Sequence, residues 1–158
     1  MPLQPGQPAP DIALYSDEKQ LTRLSDLRGR PVVLLFFPLA FTSTCTKELC
    51  ATRDDIDRYG DLDARVFGIS TDSPQTLARF RQEHALPFNL LSDYNKEAIS
   101  AYDVMYAEFS LGMRGVAKRA VFVIDGSGII RHMEVLENAG ELPDLEAAQN
   151  VVRELVSA

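Results

Sequence analysis

The hydrophobic positions of this chain follow two periods, one typical of buried strands and one typical of amphipathic helices. Residues 31–37, Pro-Val-Val-Leu-Leu-Phe-Phe, form a continuous apolar run, and residues 65–70 form a second run around Val-Phe-Gly-Ile. Runs of this length that are rich in β-forming residues are typical of strands covered on both faces. We therefore predict two central strands, and the first ends at Pro38 because proline cannot donate to a strand ladder.

Helical periodicity follows each of these strands. Between them, residues recur at the 3.6-residue period, which predicts a helix over residues 44–59 with one buried stripe. The stripe consists of Cys45, Leu49, Thr52, Ile56 and Tyr59. After the second strand, Ser73 is a favourable N-cap and Pro74 suits the first helical position, so a second helix is predicted to run to about residue 84.

The remaining segments complete an alternating order. Short strands are predicted at residues 12–14, 20–24 and 90–92, a helical turn at 24–28, a short helix at 96–102, a loop at 104–118 and a last helix at 144–156. Asp-Gly-Ser-Gly at 125–128 joins apolar runs at 119–124 and 129–135, which is a strong hairpin signal. Four prolines in residues 2–10 predict an extended arm on the surface.

Strands that alternate with helices favour an α/β protein whose core strands are largely parallel and are joined by right-handed crossovers. The closing hairpin adds antiparallel strands, so the predicted sheet is mixed and flanked by helices, with an N-terminal β-hairpin extension. Since no glycine-rich phosphate loop follows the first central strand, the order fits a thioredoxin-like fold better than a dinucleotide-binding fold. A length of 158 residues suits a single domain over residues 1–158.

Composition and net charge limit the kinds of partner that this protein is expected to bind. Hydrophobic residues make up 46% of the chain and charged residues 25%, as in an ordinary globular protein. The net charge of −7 argues against nucleic acid and anionic lipid as partners, because both are negatively charged. We expect no membrane association and a cytoplasmic location, since the sequence has no apolar run of about 18 residues and no signal-peptide pattern at its start.

The chain contains two cysteines, Cys45 and Cys50. Two are too few for a disulfide-stapled scaffold, which a chain of this length does not need. We predict no metal site, because neither histidine, at positions 84 and 132, lies at a useful ligand spacing. The pair is therefore either inert or redox-active, and redox chemistry at sulfur requires no bound cofactor.

Cys45 lies where the first central strand passes into the first helix, a junction at which ligands bind in open α/β sheets. Backbone N–H groups at a helix start stabilise an anion, and the thiolate is the reactive form of cysteine. Thr42, three residues earlier, carries a hydroxyl that can both donate and accept hydrogen bonds. Pro38 is expected to shield the sulfur from bulk water. Taken singly, each of these residues is explained equally well by a purely structural role. Pro38 would end the strand, and Thr42 would cap the helix.

The spacing Pro38-x-x-x-Thr42-x-x-Cys45 resembles the active-site motif of the peroxiredoxins. Residues 119–125, Arg-Ala-Val-Phe-Val-Ile-Asp, resemble the strand that carries the active-site arginine of that family. The resemblance extends over essentially the whole chain and implies a thiol peroxidase of the AhpC/TSA superfamily that reduces hydrogen peroxide and organic hydroperoxides. In such an enzyme the Cys45 thiolate attacks a peroxide oxygen and becomes a sulfenic acid.

The same resemblance implies roles for two charged residues. Arg119 is expected to lie beside Cys45, where it stabilises the thiolate and binds the transition-state oxygen. Glu48, one helical turn after the cysteine, resembles the glutamate that orients this arginine. Without the resemblance, Glu48 would be interpreted as a solvated helix charge.

The role of Cys50 is open at the level of sequence. On an ideal helix the Cα atoms of Cys45 and Cys50 are roughly 8.6 Å apart, whereas a disulfide needs about 7 Å or less. The first turns of the helix must therefore unwind if Cys50 resolves the sulfenic acid. The Cys-x-x-x-x-Cys spacing resembles the bacterioferritin-comigratory, or Q-type, peroxiredoxins, which form such an intramolecular disulfide. The segment Phe-Phe-Pro-Leu-Ala-Phe-Thr is closer to one-cysteine relatives of the alkyl hydroperoxide reductase E type.

The favoured hypothesis is an enzyme, acting as a monomer or homodimer, that is recycled by thioredoxin or a similar dithiol reductant. A one-cysteine enzyme with an inert Cys50 and an external thiol is the first alternative. The second is a non-enzymatic interaction or holdase protein on the same fold. A thioredoxin-like disulfide oxidoreductase would require Cys-x-x-Cys, which this sequence lacks.

Overall fold

The computed structural model describes residues 3–54, 64–138 and 141–157, without the side chains of Ser43, Thr44, Cys45, Glu48 and Ser157. The strands are β1 (Ala13–Ser16), β2 (Leu21–Arg23), β3 (Val32–Phe36), β4 (Arg65–Ser70), β5 (Leu90–Ser92), β6 (Arg119–Ile124) and β7 (Ile130–Leu136). The helices are α1 (Ser43–Asp54), α2 (Pro74–His84), α3 (Glu97–Ala101) and α4 (Leu145–Ser157), with short 3-10 turns at Leu24–Leu27 and Ser110–Gly112. None of these helices is long and apolar enough to cross a membrane.

The described strands form one sheet in the order β2-β1-β5-β4-β3-β6-β7. The pairs β3–β4 and β4–β5 are parallel, whereas β1–β2, β1–β5, β3–β6 and β6–β7 are antiparallel. The mixed sheet and the N-terminal hairpin are as expected from the sequence. The expectation of a largely parallel core holds only for β5-β4-β3, because the closing hairpin inserts β6 directly beside β3.

The two faces of the sheet carry separate hydrophobic clusters, because successive strand residues point to opposite sides. On one face, which we call the α1 face, Val33 and Leu35 of β3 pack with Leu49 of α1 and with apolar residues of α2 and α4. On the other face, Leu34 and Phe36 pack with α3 and the N-terminal segments. Burying one such side chain fully contributes about 1.5–3 kcal/mol, so β3 is anchored from both sides.

Local signals explain the elements that the sequence predicted best. Helix α2 begins at Pro74, and the Ser73 Oγ accepts a hydrogen bond from the Thr76 N–H at 3.1 Å. The Ser73 cap and the Pro74 start are therefore confirmed. Helix α1 is described as far as Asp54, so the predicted continuation over residues 55–59 lies outside the described residues.

Two predicted segments are more ordered than expected. The N-terminal arm pairs with the start of β7, where the Gly6 N–H donates to the Ile130 carbonyl at 2.7 Å. The segment 104–118, predicted as a loop, contains a 3-10 turn and an isolated bridge between Met105 and Ala117. The first difference arises from pairing with a distant strand and the second from pairing within the segment itself, and local periodicity reveals neither.

Candidate active site

The candidate site begins where β3 ends. Phe36 is the last residue of β3, and the following Phe37 donates its N–H to the Ile69 carbonyl of β4 at 3.0 Å. Pro38 comes next and is buried. Because proline has no N–H, it cannot extend the ladder, and the chain leaves the sheet at this point.

A short turn then leads into α1. The Thr42 hydroxyl donates a hydrogen bond to the Leu39 carbonyl at 2.8 Å, closing the turn over three residues. Phe41 has a φ of +67°, a left-handed conformation that is rare for a bulky side chain. Its ring contacts the ring of Phe80 on α2 edge-on, with centroids 5.0 Å apart.

Thr42 also sets the start of α1. Its carbonyl accepts hydrogen bonds from both the N–H and the hydroxyl of Thr46, each at 2.9 Å. Cys45 is the third residue of α1, and it therefore belongs to the first turn. Backbone N–H groups in the first turn have no carbonyl partner one turn earlier in the helix, so they are available to an anion.

Arg119 lies at the same end of the sheet. It is the first residue of β6, and the next residue, Ala120, pairs with Phe36 at the end of β3. Val121 and Val123 of β6 point to the α1 face, so strand alternation places Arg119 on that face as well. The Arg119 side chain is only 1% exposed, which indicates a positive charge held inside the protein at this end.

Tyr106 lies near the same arginine. Its hydroxyl donates to the Glu137 carbonyl at 2.9 Å, and its ring stacks on Phe109 with centroids 5.5 Å apart. Burial raises the pKa of Tyr106 and the carboxylate of Glu137 raises it further, while the positive charge of Arg119 opposes both effects. The sequence offered no sign of this neighbour, since Tyr106 belongs to the segment predicted as a loop.

The fold therefore brings three of the predicted site residues to one end of the sheet, namely Pro38, Thr42 and Arg119. Cys45 and Glu48 lie in the first half of α1, and their side chains lie outside the described part of the structure. The roles assigned to these two residues stay predictions. Among the described residues, no group of three or more His, Cys, Asp or Glu side chains could hold a metal ion.

Cys50 lies in the second half of α1 as a free, half-buried thiol. Its neighbours are firmly held, since Leu49 is 0% and Thr52 is 1% exposed. The guanidinium of Arg53 donates to the His84 carbonyl of α2 at 2.7 Å. Because Cys45 and Cys50 share one continuous helix, their Cα atoms are roughly 8.6 Å apart by helical geometry. The folded helix thus keeps the two cysteines too far apart for a disulfide.

Sequence reasoning missed Asp72, which contacts the turn before α1. Asp72 follows β4, and its Oδ2 accepts the Ala40 N–H at 2.8 Å and the Ser70 hydroxyl at 2.6 Å. A usable signal was present, because β3 and β4 are adjacent parallel strands. Polar residues just after such strands meet at one edge of the sheet.

Comparison with known proteins shows the family to which this chain belongs. The model of the AhpC/TSA family matches residues 5–133. Peroxiredoxin Bcp of Bacillus subtilis is 36% identical over 129 residues, which cover 81% of this chain and 82% of the relative. The chain belongs to the AhpC/TSA family of peroxiredoxins. The predicted reaction class, a thiol-dependent peroxidase, is thereby confirmed.

Further relatives sharpen this assignment. A putative peroxiredoxin bcp of Coxiella burnetii is 38% identical over 132 residues, covering 82% of this chain and 87% of the relative. The crystal structure of peroxidoxin BcpB from Mycobacterium tuberculosis superposes with a TM-score of 0.86 at 30% identity, covering 97% of this chain and 98% of that one. These matches confirm the thioredoxin-like fold and are consistent with the bacterioferritin-comigratory, or Q-type, branch.

Proposed function

We propose that this peroxiredoxin reduces hydrogen peroxide and organic hydroperoxides with the thiolate of Cys45. The sulfur attacks one peroxide oxygen, the O–O bond breaks, and the sulfur becomes a sulfenic acid. The departing oxygen takes a proton and leaves as water or an alcohol. The observation that carries this proposal is that the first turn of α1 and the buried Arg119 belong to the same end and the same face of the sheet.

The surrounding groups suit the charge that develops in this reaction. A guanidinium and backbone N–H groups both stabilise a thiolate and the oxygen that gains negative charge. We assign the guanidinium to Arg119 and the N–H groups to the first turn of α1. Thr42 would hold the peroxide in line with the sulfur through its hydroxyl, which now donates to the Leu39 carbonyl. Pro38 is buried, consistent with a role in excluding water.

Glu48 would orient Arg119 from the next turn of α1. A buried guanidinium is costly unless it is paired with hydrogen-bond acceptors or an opposite charge. The spacing of Glu48, three residues after Cys45, puts both residues on the same side of α1. This arrangement supports an ion pair that holds the arginine in place while the sulfur reacts.

The second half of the cycle requires a thiol reductant. We propose that Cys50 attacks the Cys45 sulfenic acid, releasing water and forming an intramolecular disulfide. A dithiol protein such as thioredoxin would then reduce this disulfide. Because the two positions lie too far apart on the intact helix, the turns between them must unwind first. Leu49 and Thr52 are firmly buried, so we expect the unwinding to start from the Cys45 end.

The proposal is tested by measuring peroxide consumption with a dithiol reductant for the wild type, Cys45→Ser and Cys50→Ser. We expect Cys45→Ser to lose activity completely, whereas unchanged turnover would refute the assignment and favour a non-enzymatic role. The mass of the reduced wild type after one equivalent of peroxide tests Cys50. Loss of two hydrogens indicates the disulfide, and a gain of one oxygen indicates a one-cysteine enzyme with an inert Cys50.

A further inference from the structure

A carboxylate from the loop after β4 holds the turn that precedes α1. The Asp72 Oδ2 accepts the Ala40 N–H at 2.8 Å and the Ser70 hydroxyl at 2.6 Å. Hydrogen bonds to a charged acceptor are roughly twice as strong as neutral ones. Ala40 is only 9% exposed, so its N–H has little access to water if this acceptor is removed. The bond is therefore costly to lose.

Asp72 is itself fixed to the sheet. Its N–H donates to the Ser70 hydroxyl at 3.2 Å, and its carbonyl accepts the Ser92 hydroxyl at 2.7 Å. Ser70 ends β4 and is 0% exposed, and Ser92 ends β5 and is 8% exposed. Asp72 is thus attached to two buried strand ends, through its carboxylate and N–H to Ser70 and through its main-chain carbonyl to Ser92, which makes it a rigid support for a neighbouring segment.

Phe41, which lies between Ala40 and Thr42 in this turn, has a strained backbone. A left-handed backbone is unfavourable for a residue with a β-carbon, and Phe41 adopts it at φ +67°. Strained conformations persist only where the surroundings determine them from several sides. Here the bond at Ala40 fixes the turn from one side and the edge-on contact with Phe80 fixes it from the other.

We propose that Asp72 is a positioning residue for peroxide reduction. Its carboxylate acts through the main chain of Ala40 and holds the turn so that Thr42 and the first turn of α1 face the peroxide correctly. Asp72 itself does not touch the peroxide. The inference rests on the proposed function, because it assumes that Thr42 and Cys45 form the reactive site.

A carboxylate this close to a thiolate site could instead act through its charge, and substitutions separate the two roles. In Asp72→Asn the amide oxygen can replace Oδ2 and accept both hydrogen bonds, but the charge is gone. In Asp72→Glu the charge remains, but the extra methylene displaces the acceptor. Asp72→Ala removes both charge and acceptor. If Asp72 acts by positioning, Asp72→Asn should react with peroxide faster than Asp72→Glu and Asp72→Ala. If it acts through its charge, Asp72→Glu should have the rate nearest to that of the wild type.

The rate of reaction with hydrogen peroxide is measured by competition with a haem peroxidase for limiting peroxide. We expect Asp72→Asn to stay within about threefold of the wild type, because it keeps the hydrogen bonds to Ala40 and Ser70. We expect Asp72→Glu and Asp72→Ala to react about 10- to 100-fold more slowly, as misplacements of about 1 Å do in other enzymes. If Asp72→Ala fails to fold, the relative rates of Asp72→Asn and Asp72→Glu still distinguish a positioning role from a charge role.

Asp125→Ala is the matched control. The Asp125 carboxylate also accepts main-chain N–H groups, from Ser127 at 2.9 Å and Ile129 at 3.0 Å, but at the opposite end of the sheet. We expect this variant to lose stability without losing rate. The inference is overturned if all three Asp72 variants react at the wild-type rate. It is also overturned if Asp72→Glu reacts fast and Asp72→Asn reacts slowly. An active Cys45→Ser would refute the proposed function instead, so the two failures are distinguishable.

Discussion

The two ends of the central sheet are closed in different ways. At the end away from the site, Asp125 accepts the N–H groups of Ser127 and Ile129, two and four residues further along the chain. At the site end, Asp72 accepts the N–H of Ala40, which is 32 residues away in sequence. The carboxylate at one end therefore binds its neighbours in sequence, and the carboxylate at the other end binds a segment that it meets only when the strands have paired.

The two ends of the sheet also differ in which residues adopt a left-handed backbone. The hairpin at the distant end places Gly128 at φ +89°, where glycine adopts the left-handed region without steric cost. The turn at the site end places Phe41 at φ +67°, where a side chain makes that region unfavourable. Stability is thus given up where the peroxide is expected to bind, and not at the structural hairpin.

The largest effect is expected from removing the buried charge at the site end. Arg119→Met keeps much of the side-chain volume but removes the guanidinium, which is 1% exposed at the start of β6. Loss of one preorganised donor costs about 10²- to 10³-fold in rate, and Arg119 supplies a positive charge as well. We expect the rate with peroxide to fall about a thousandfold. Peroxide competition kinetics measure this fall.

A matched change at the distant end serves as the control for this prediction. Arg131 pairs with Asp125 through a hydrogen bond of 2.6 Å, and Arg131→Met should leave the peroxide rate unchanged. The ultraviolet absorbance of the thiolate gives an independent readout. In Arg119→Met it should appear only at higher pH than in the wild type, since the nearby cation is lost. If Arg119→Met shows the same thiolate titration and the same peroxide rate as the wild type, Arg119 has no part in the reaction.

Sequence reasoning succeeded where the determining residues are close together in the chain. The start of α2 followed from Ser73 and Pro74, and the β6–β7 hairpin followed from the glycines at 126 and 128. At the site, the spacing of Pro38 and Thr42 before Cys45 pointed to one segment through its family resemblance, and the roles assigned to these residues stay predictions. In each case the informative residues lie within a few positions of one another.

Sequence reasoning failed where the determining contact joins distant parts of the chain. The bond from Ala40 to Asp72 forms where β3 and β4 end side by side, so its signal lies in the order of the strands and not in the residues next to Asp72. The bridge between Met105 and Ala117 and the left-handed Leu111, at φ +61°, lie within the segment 104–118, whose sequence shows no clear period. Burial of Arg119 followed from neither composition nor periodicity, because arginine is seldom buried without a partner.

A smaller effect is expected from relieving the strain at Phe41. Phe41→Ala and Phe41→Gly both remove the ring contact with Phe80, but only glycine adopts the left-handed backbone without cost. We expect Phe41→Gly to be more stable than Phe41→Ala by about 1 kcal/mol. Urea unfolding curves of the two variants give this difference directly.

The distant end should respond in the opposite way. Gly128→Ala introduces strain at φ +89° and puts a β-carbon against the side chain of Arg28, so it should lower the free energy of unfolding. Equal stabilities of Phe41→Ala and Phe41→Gly would mean that the site turn relaxes when the ring is removed. The contrast between a strained end and a relaxed end would then be wrong.

The smallest expected effects concern two aspartates, one at each end of the sheet. At the site end, burial raises the pKa of Asp93, although hydrogen bonds from the N–H groups of Ala98 and Ile99 oppose this shift. At the distant end, burial also acts to raise the pKa of Asp125. There, however, hydrogen bonds from the Ile129 N–H and the Arg131 side chain outweigh burial and lower the pKa overall.

The two shifts predict opposite pH dependences of stability. An aspartate with a lowered pKa in the folded state stabilises the protein above its unfolded-state pKa, and this contribution is lost as the pH falls through the folded-state value. The wild type should therefore lose its advantage over Asp125→Asn as the pH falls below about 4. A raised pKa reverses the sign, so the wild type should gain on Asp93→Asn as the pH falls through the raised folded-state pKa of Asp93 towards the ordinary aspartate value of about 4. Urea unfolding across this range tests both, and parallel curves for the two variants would show that the aspartates do not differ.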